Sequence, residues 1–178
     1  MGRKGKGGPP LTTTLEGELF RDVLIDSCVL MDALFAFRGN HAVASKLLHQ
    51  LATKRATCYI PSHAYFEYTV TCITHFKREP EKLAEIDRKL VPQGLQLRVV
   101  TLTGEYADHL IQGLSKSALP DLKSQDLIYF CIARDRGMTL VTEDRKLRNA
   151  ARKGGIQAFL AGEALEAMND CDPAAPAL

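Results

Sequence analysis

The chain has 178 residues, with 23 Lys and Arg against 21 Asp and Glu, for a formal charge of +2. Arg3, Lys4 and Lys6 supply +3 within the first ten residues, so the remainder is slightly acidic and is no histone-like, polybasic nucleic-acid binder. The 46% hydrophobic and 25% charged fractions exclude a disordered or fibrous chain, and no apolar run approaches the ~18 residues of a membrane span.

The start, GRKGKGGPP, carries no apolar core segment and is expected to be a flexible basic tail over residues 1–20 rather than a signal peptide. Five cysteines, at positions 28, 58, 72, 131 and 171, are odd in number and widely spread. They fit reduced thiols in a cytoplasmic protein.

Residues 22–25 form a short apolar run that stops at Asp26-Ser27, as a buried strand ending in a carboxylate does. Residues 28–37 are predicted helical up to Gly39-Asn40, and 41–53 place Ala42, Val43, Leu47, Leu48 and Leu51 at helical spacing. A strand is predicted at 56–60, followed by a helix from Ser62, read as its N-cap, to Phe76. Pro80 opens a further helix to Leu90, and Gly94 precedes a β-rich stretch at 95–102. Thr103 caps a helix to Ser117, and 123–136 form another that stops at Gly137. A strand at 138–141 runs into Thr142-Glu143-Asp144, a helix spans 144–153, and a last strand falls at 156–160. Strands alternating with helices imply one α/β domain over 21–168 with a short parallel sheet covered on both faces, and a flexible tail at 169–178.

In such sheets functional groups gather at the carboxyl ends of the strands. Asp26 and Asp144 follow two strands directly, while Glu67 (in AYFEYTV) and Asp126 (in SQDLIYF) lie in apolar helical runs. A carboxylate in an apolar run is costly unless it is paired or holds a metal. Taken singly, each has an ordinary explanation: a strand-end cap, an outward helix residue, a first-turn acid, an N-cap.

The ordered set is more specific. A strand-ending Asp26-Ser27, then PSHAYFE with Glu67, then SQDLIYFCIARDRG with Asp126, then TLVTED with Thr142 and Asp144, resembles the PIN-domain family over about residues 22–160. The sequence departs from the family in having Leu147 where an aromatic is common after the last acid, and Glu143 is an additional acid.

The resemblance implies a three-layer PIN-like fold and a metal-dependent endoribonuclease, of toxin or RNA-processing type, leaving 5′-phosphate and 3′-hydroxyl ends. It implies Asp26, Glu67, Asp126 and Asp144 as catalytic, metal-binding residues, with Ser27 and Thr142 supporting them. Oxygen-only ligands favour Mg²⁺ or Mn²⁺. Implied partners are an RNA substrate, a small antitoxin protein and a second copy of the chain, with no membrane. For the RNA backbone, residues 134–153 carry seven basic side chains against three acids; Arg134, Arg136, Arg145, Lys146 and Arg148 are the candidates drawn from them. The alternative for such a run is a solvated helix face. Tyr59, Tyr65 and Tyr68 are candidates for base stacking, with core packing the plainer reading.

Rival readings are weaker. A haloacid-dehalogenase-type phosphatase needs a second Asp where Cys28 stands. Cys58, His63, Cys72 and His75 lack the paired spacing of a zinc site. A PIN-fold interaction module without catalysis, and a structure-selective DNA nuclease, are the remaining alternatives. The presence of all four acids argues against the first, and the absence of evident long insertions against the second.

Overall fold

The computed structural model describes residues 19–76, 94–115 and 120–170. Five parallel strands, β1 (Asp22–Ile25), β2 (Thr57–Pro61), β3 (Gln96–Val100), β4 (Thr139–Val141) and β5 (Ala158–Phe159), form one sheet in the order β3-β2-β1-β4-β5. Among the described residues seven helices accompany them: α1 (Ser27–Leu34), α2 (His41–Thr53), α3 (Ser62–Phe76), α4 (Gly104–Ser115), α5 (Ser124–Arg136), α6 (Arg145–Lys153) and α7 (Ala161–Asp170). This is the expected α/β layering. The expected helix over 80–90, the last residues of the helix expected to reach Ser117, and most of both tails lie outside the described residues.

The sheet's centre is where its sequence is most apolar. Val23, Leu24 and Ile25 of β1 and Leu140 and Val141 of β4 have no measurable exposure, as strands covered on both faces require. β3 sits at an edge and is largely exposed.

Strand order reverses at the middle pair. From β1 the chain moves outward through β2 to β3, then returns to lay β4 on the opposite side of β1 and β5 beyond it. The β1–β4 pair is therefore the switch point, where open parallel sheets leave a crevice at their carboxyl ends. Ile25 stands opposite Val141, and the Asp26 amide continues the ladder to the Val141 carbonyl at 2.9 Å.

Several boundaries differ from expectation. The first helix stops at Leu34 instead of continuing to 37, because buried Phe35 turns into a ring cluster with Phe37, His75 and Phe76. Ser62 is the first residue of α3, and its hydroxyl accepts from the Leu102 amide at 3.5 Å rather than capping the helix. Helix α7 has no counterpart in the expected elements; it packs on α2 through a face containing Ala161, Ala164, Leu165 and Met168 and runs to Asp170. At the other end Phe20, expected in the tail, is buried against Phe159 with ring centroids 5.5 Å apart.

Two glycines close the helices beside the site as the sequence suggests. Gly137 ends α5 in the left-handed region at φ 62°. Gly154 ends α6 with ordinary backbone angles, but a β-carbon there would stand 2.7 Å from the buried ring of Phe130. Gly154→Ala is expected to destabilise the fold by about 1–3 kcal/mol through overpacking, measured by denaturant unfolding. Gly155→Asn, in open space at φ 78°, is expected to cost less than Gly154→Ala.

Candidate active site

The site begins with two strand ends. Asp26 follows β1 in extended conformation and N-caps α1, while Thr142 follows β4 and Asp144 N-caps α6. The fully buried Thr142 hydroxyl donates to Asp26 Oδ2 at 2.7 Å and accepts from the Asp144 amide at 2.9 Å. One hydroxyl thus fixes both acids. Asp144 Oδ1 receives the Lys146 and Leu147 amides at 2.6 and 3.0 Å, leaving Oδ2 outside the cap. Asp26 Oδ1 accepts from the Ser27 hydroxyl and the Cys28 amide, at 3.4 Å each.

Asp126 comes from the first turn of α5. Burial, then the charges of Asp144 and Asp26, raise its pKa above the ordinary carboxylate range, and Lys123 and Lys146 pull partly against that. Asp126 is thus near enough to Asp144 and Asp26 to feel both charges. Glu67 stands on the exposed side of α3, where its Oε1 accepts from the Gln125 side chain at 3.0 Å, next in sequence to Asp126. It therefore borders the group on the α5 side.

Ser27 is buried, and its amide donates to the Tyr129 hydroxyl at 3.1 Å. Tyr129 lies three residues after Asp126, on the same helix face, so α5 is tied directly to the strand end that presents Asp26. Burial, with Asp26 nearby, pushes the Tyr129 phenol up and keeps it neutral.

Around these acids lies a second layer of polar groups, in which Glu143 joins two residues that the sequence does not single out, Asp32 and Asn40. Asp32 of α1 is 4% exposed; its Oδ1 accepts from Arg38 and its Oδ2 from Asn40 at 3.2 Å. The same Asn40 amide nitrogen donates to Glu143 Oε2 at 3.3 Å, and Glu143 Oε1 accepts from the Ala161 amide at 3.1 Å. Glu143 is half-buried, and burial raises its pKa; the Ala161 amide opposes this, while Asp32, Asp26 and Glu163 add to it. Glu143 thus braces the 142–144 turn against α2 and α7. The apolar run VLMDAL around Asp32 carried the same signal as those around Glu67 and Asp126.

The basic candidates divide. Arg145 and Lys146 begin α6 beside Asp144, both exposed, with Lys146 paired to Asp121 at 3.0 Å. Arg148 instead bonds Glu163. Arg134 lies over the Phe130 ring, and Arg136 stacks on Tyr106 and donates to its hydroxyl. These two sit at the far end of α5, roughly 12–15 Å along the helix from Asp126. The structure does not gather them with the acids. Tyr68 is buried in the core, and Tyr59 and Tyr65 pack against it, so the plainer reading of the tyrosines holds.

The donor set is all oxygen and clustered in charge, which suits a hard divalent cation more than zinc. Among the described residues no three His, Cys, Asp or Glu side chains lie close enough to cage a metal ion as they stand. The fit is therefore one of donor chemistry and charge.

The PIN-domain model matches residues 23–153, and the chain belongs to the PIN-domain family. Among solved structures it is similar to VapBC2 from Rickettsia felis bound to a DNA fragment from the promoter, at 18% identity and TM-score 0.54 over 78% of this chain and 98% of that one. It is also similar to VapC20 of Mycobacterium tuberculosis, a sarcin–ricin loop cleaving toxin, at 16% identity and TM-score 0.51 over 75% and 95%. No curated protein matches.

Two outcomes test the geometry. Thr142→Val keeps shape but removes a donor to Asp26 and an acceptor for the Asp144 amide; it is expected to cost about 2–3 kcal/mol in denaturant unfolding, with Thr142→Ser recovering most of that. Because folding raises the Asp126 pKa, ionised Asp126 disfavours the folded state, and that penalty fades as pH falls and both states become protonated. In metal-free buffer Asp126→Asn is therefore expected to melt higher than the parent at neutral pH, with the gain shrinking under acid. A lower melting point at neutral pH would contradict the charge crowding.

Proposed function

We propose that the protein is a divalent-metal-dependent endoribonuclease that cleaves RNA phosphodiester bonds to leave 5′-phosphate and 3′-hydroxyl ends. The observation that carries this reading is the joining of Asp26 and Asp144 through the Thr142 hydroxyl at the β1–β4 switch point, with Asp126 near enough to feel both charges. Three acids brought this close without basic partners of matching number are costly for the fold, and a bound cation offsets that cost. Asp26, Asp126 and Asp144 would hold Mg²⁺ or Mn²⁺, with Glu67 at the edge to ligate it or orient a water. The chemistry a bound cation supplies is polarisation of the phosphodiester and activation of water for in-line attack.

The chain's own groups do the positioning. Thr142 holds Asp26 Oδ2 at 2.7 Å, and Oδ1, whose contacts from Ser27 and the Cys28 amide are 3.4 Å, is the more weakly held oxygen. Tyr129 holds the Ser27 amide, and Gln125 fixes Glu67 Oε1. The N-termini of α1, α5 and α6 all point into the site, and their amide dipoles favour both carboxylates and phosphate there.

Similarity to VapBC2 and VapC20 favours a toxin-type nuclease held in check by a small antitoxin, acting in the cytoplasm and able to pair with a second copy. Among the described residues no helix is long and apolar enough to cross a membrane. Asp26→Asn and Asp126→Asn are each expected to lower RNA cleavage at least about 100-fold, and EDTA to abolish it. Mn²⁺ is expected to raise the melting temperature of the parent, and of Asp126→Asn far less. Parent protein that neither shifts with Mn²⁺ nor cleaves RNA would point instead to a PIN-fold interaction module.

A further inference from the structure

The basic run from Arg134 to Lys153 looks uniform in sequence, and the fold sorts it. Arg134 and Arg136 lie over rings at the far end of α5. Arg148 and Arg152 both bond Glu163 of α7, and Arg152 also donates to the Ala158 carbonyl. These four hold the fold together.

The rest point elsewhere. At 100° per residue, positions 145, 146, 149 and 153 fall within an arc of roughly 100° on α6, with Arg152 and Arg148 about 20° and 60° beyond its Arg145 edge, where they turn to Glu163. Arg145, Lys146, Asn149 and Lys153 are exposed and line an open groove of about 740 Å³, with the 120–121 turn and the edge of Phe130 also in its lining. Asp121 is the one acid in the lining, and its pair with Lys146 joins two exposed side chains, which is weak and readily exchanged. Arg145 and Lys153 have no ion pair among the described residues.

The groove begins one residue beyond Asp144. Arg145 follows Asp144 directly, the Lys146 amide bonds Asp144 Oδ1, and the Lys146 charge is felt at Asp126. From there it extends about 12 Å along α6 to Lys153. Its lining offers three cations and an amide. The ring of Phe130 is 3% exposed, so no aromatic face is presented for base stacking. Such a surface suits a sugar–phosphate backbone more than bases.

We propose that the substrate strand leaves the carboxylate site along α6, a single RNA strand whose phosphates meet Arg145, Lys146 and Lys153, with Asn149 between them, and whose bases are not read there. This rests on the nuclease reading and adds a direction and a set of contacts to it. It moves the backbone contacts away from Arg134, Arg136 and Arg148, and brings in Asn149 and Lys153.

The test is a fluorescence-anisotropy titration of a short labelled single-stranded RNA against the full chain carrying Asp26→Asn, repeated over a range of salt. Adding Arg145→Gln and Lys153→Gln is expected to weaken binding at least about 10-fold at moderate salt, and to reduce the slope of log affinity against log salt by about 1.4 for the two lost contacts. Lys46→Gln with Arg98→Gln removes the same charge from exposed positions on α2 and β3, and is expected to change affinity less than about 2-fold with the slope unaltered. With Asp26 restored, the groove variant is expected to raise KM with little change in kcat. Parent protein that binds and cleaves RNA while the groove variant matches it, or matches the control pair, overturns the groove and leaves the nuclease reading intact. Parent protein that neither binds nor cleaves RNA overturns both.

Discussion

The hydroxyl of Thr142 is the point on which the site depends. It is fully buried, donates to Asp26 and accepts from the Asp144 amide, so one side chain joins the ends of β1 and β4 across the switch point of the sheet. A valine of the same shape could fill the space but could do neither. The bond is possible because the β1–β4 register places Ile25 opposite Val141, which leaves the next residues of each strand side by side. Register sets the distance, and the hydroxyl sets the orientation.

Gathering acids in this way works against folding, and the structure limits the cost in two ways. Each of the three central acids lies at or within the first turn of a helix, so free amides and the helix dipole face the carboxylate. Around them, Tyr129, Gln125, Asn40 and Glu143 form hydrogen bonds that hold the elements in place without introducing cations at the centre. The central charges are braced rather than neutralised. Burial first, then the charges of Asp144 and Asp26, raise the Asp126 pKa, and Lys123 and Lys146 oppose this only in part. An ion-paired site would be more stable by itself and poorer at taking up a cation.

What could be read from the sequence was what depends on local pattern. Val23-Leu24-Ile25 before Asp26, and Thr139-Leu140-Val141 before Thr142, are buried strands ending in polar residues, and they fold as such. Asp144 as a cap and Gly137 as a helix stop follow from the same local chemistry. Features that depend on chain return were hidden. Asp32 is buried because α1 stops early and the next turn brings Arg38 and Asn40 back onto it. Helix α7 has apolar residues at helical spacing, but two of its four buried residues are alanines, whose weak hydrophobic signal means little until α2 is beside them. Ser62 is a fair N-cap by type, yet its hydroxyl serves the Leu102 amide, forty residues away.

Charge shows the same division most clearly. Residues 134–153 sum to a basic segment, and a sum cannot distinguish a cation that holds the fold from one that is available. Glu163 makes that distinction. It sits in α7 with a lowered pKa: burial opposes its ionisation, and the Leu160 amide with Arg152 and Arg148 more than compensates. By pairing with Arg148 and Arg152, it commits those two cations of α6 and leaves Arg145, Lys146 and Lys153 to line the neighbouring groove. A helix without a counterpart in the expected elements therefore decides which cations of a correctly read one are committed to the fold. The near-neutral total of the chain is compatible with nucleic-acid binding for this reason: positive charge is scarce, and the fold engages four arginines of this segment in internal contacts while keeping a short cationic track near Asp144.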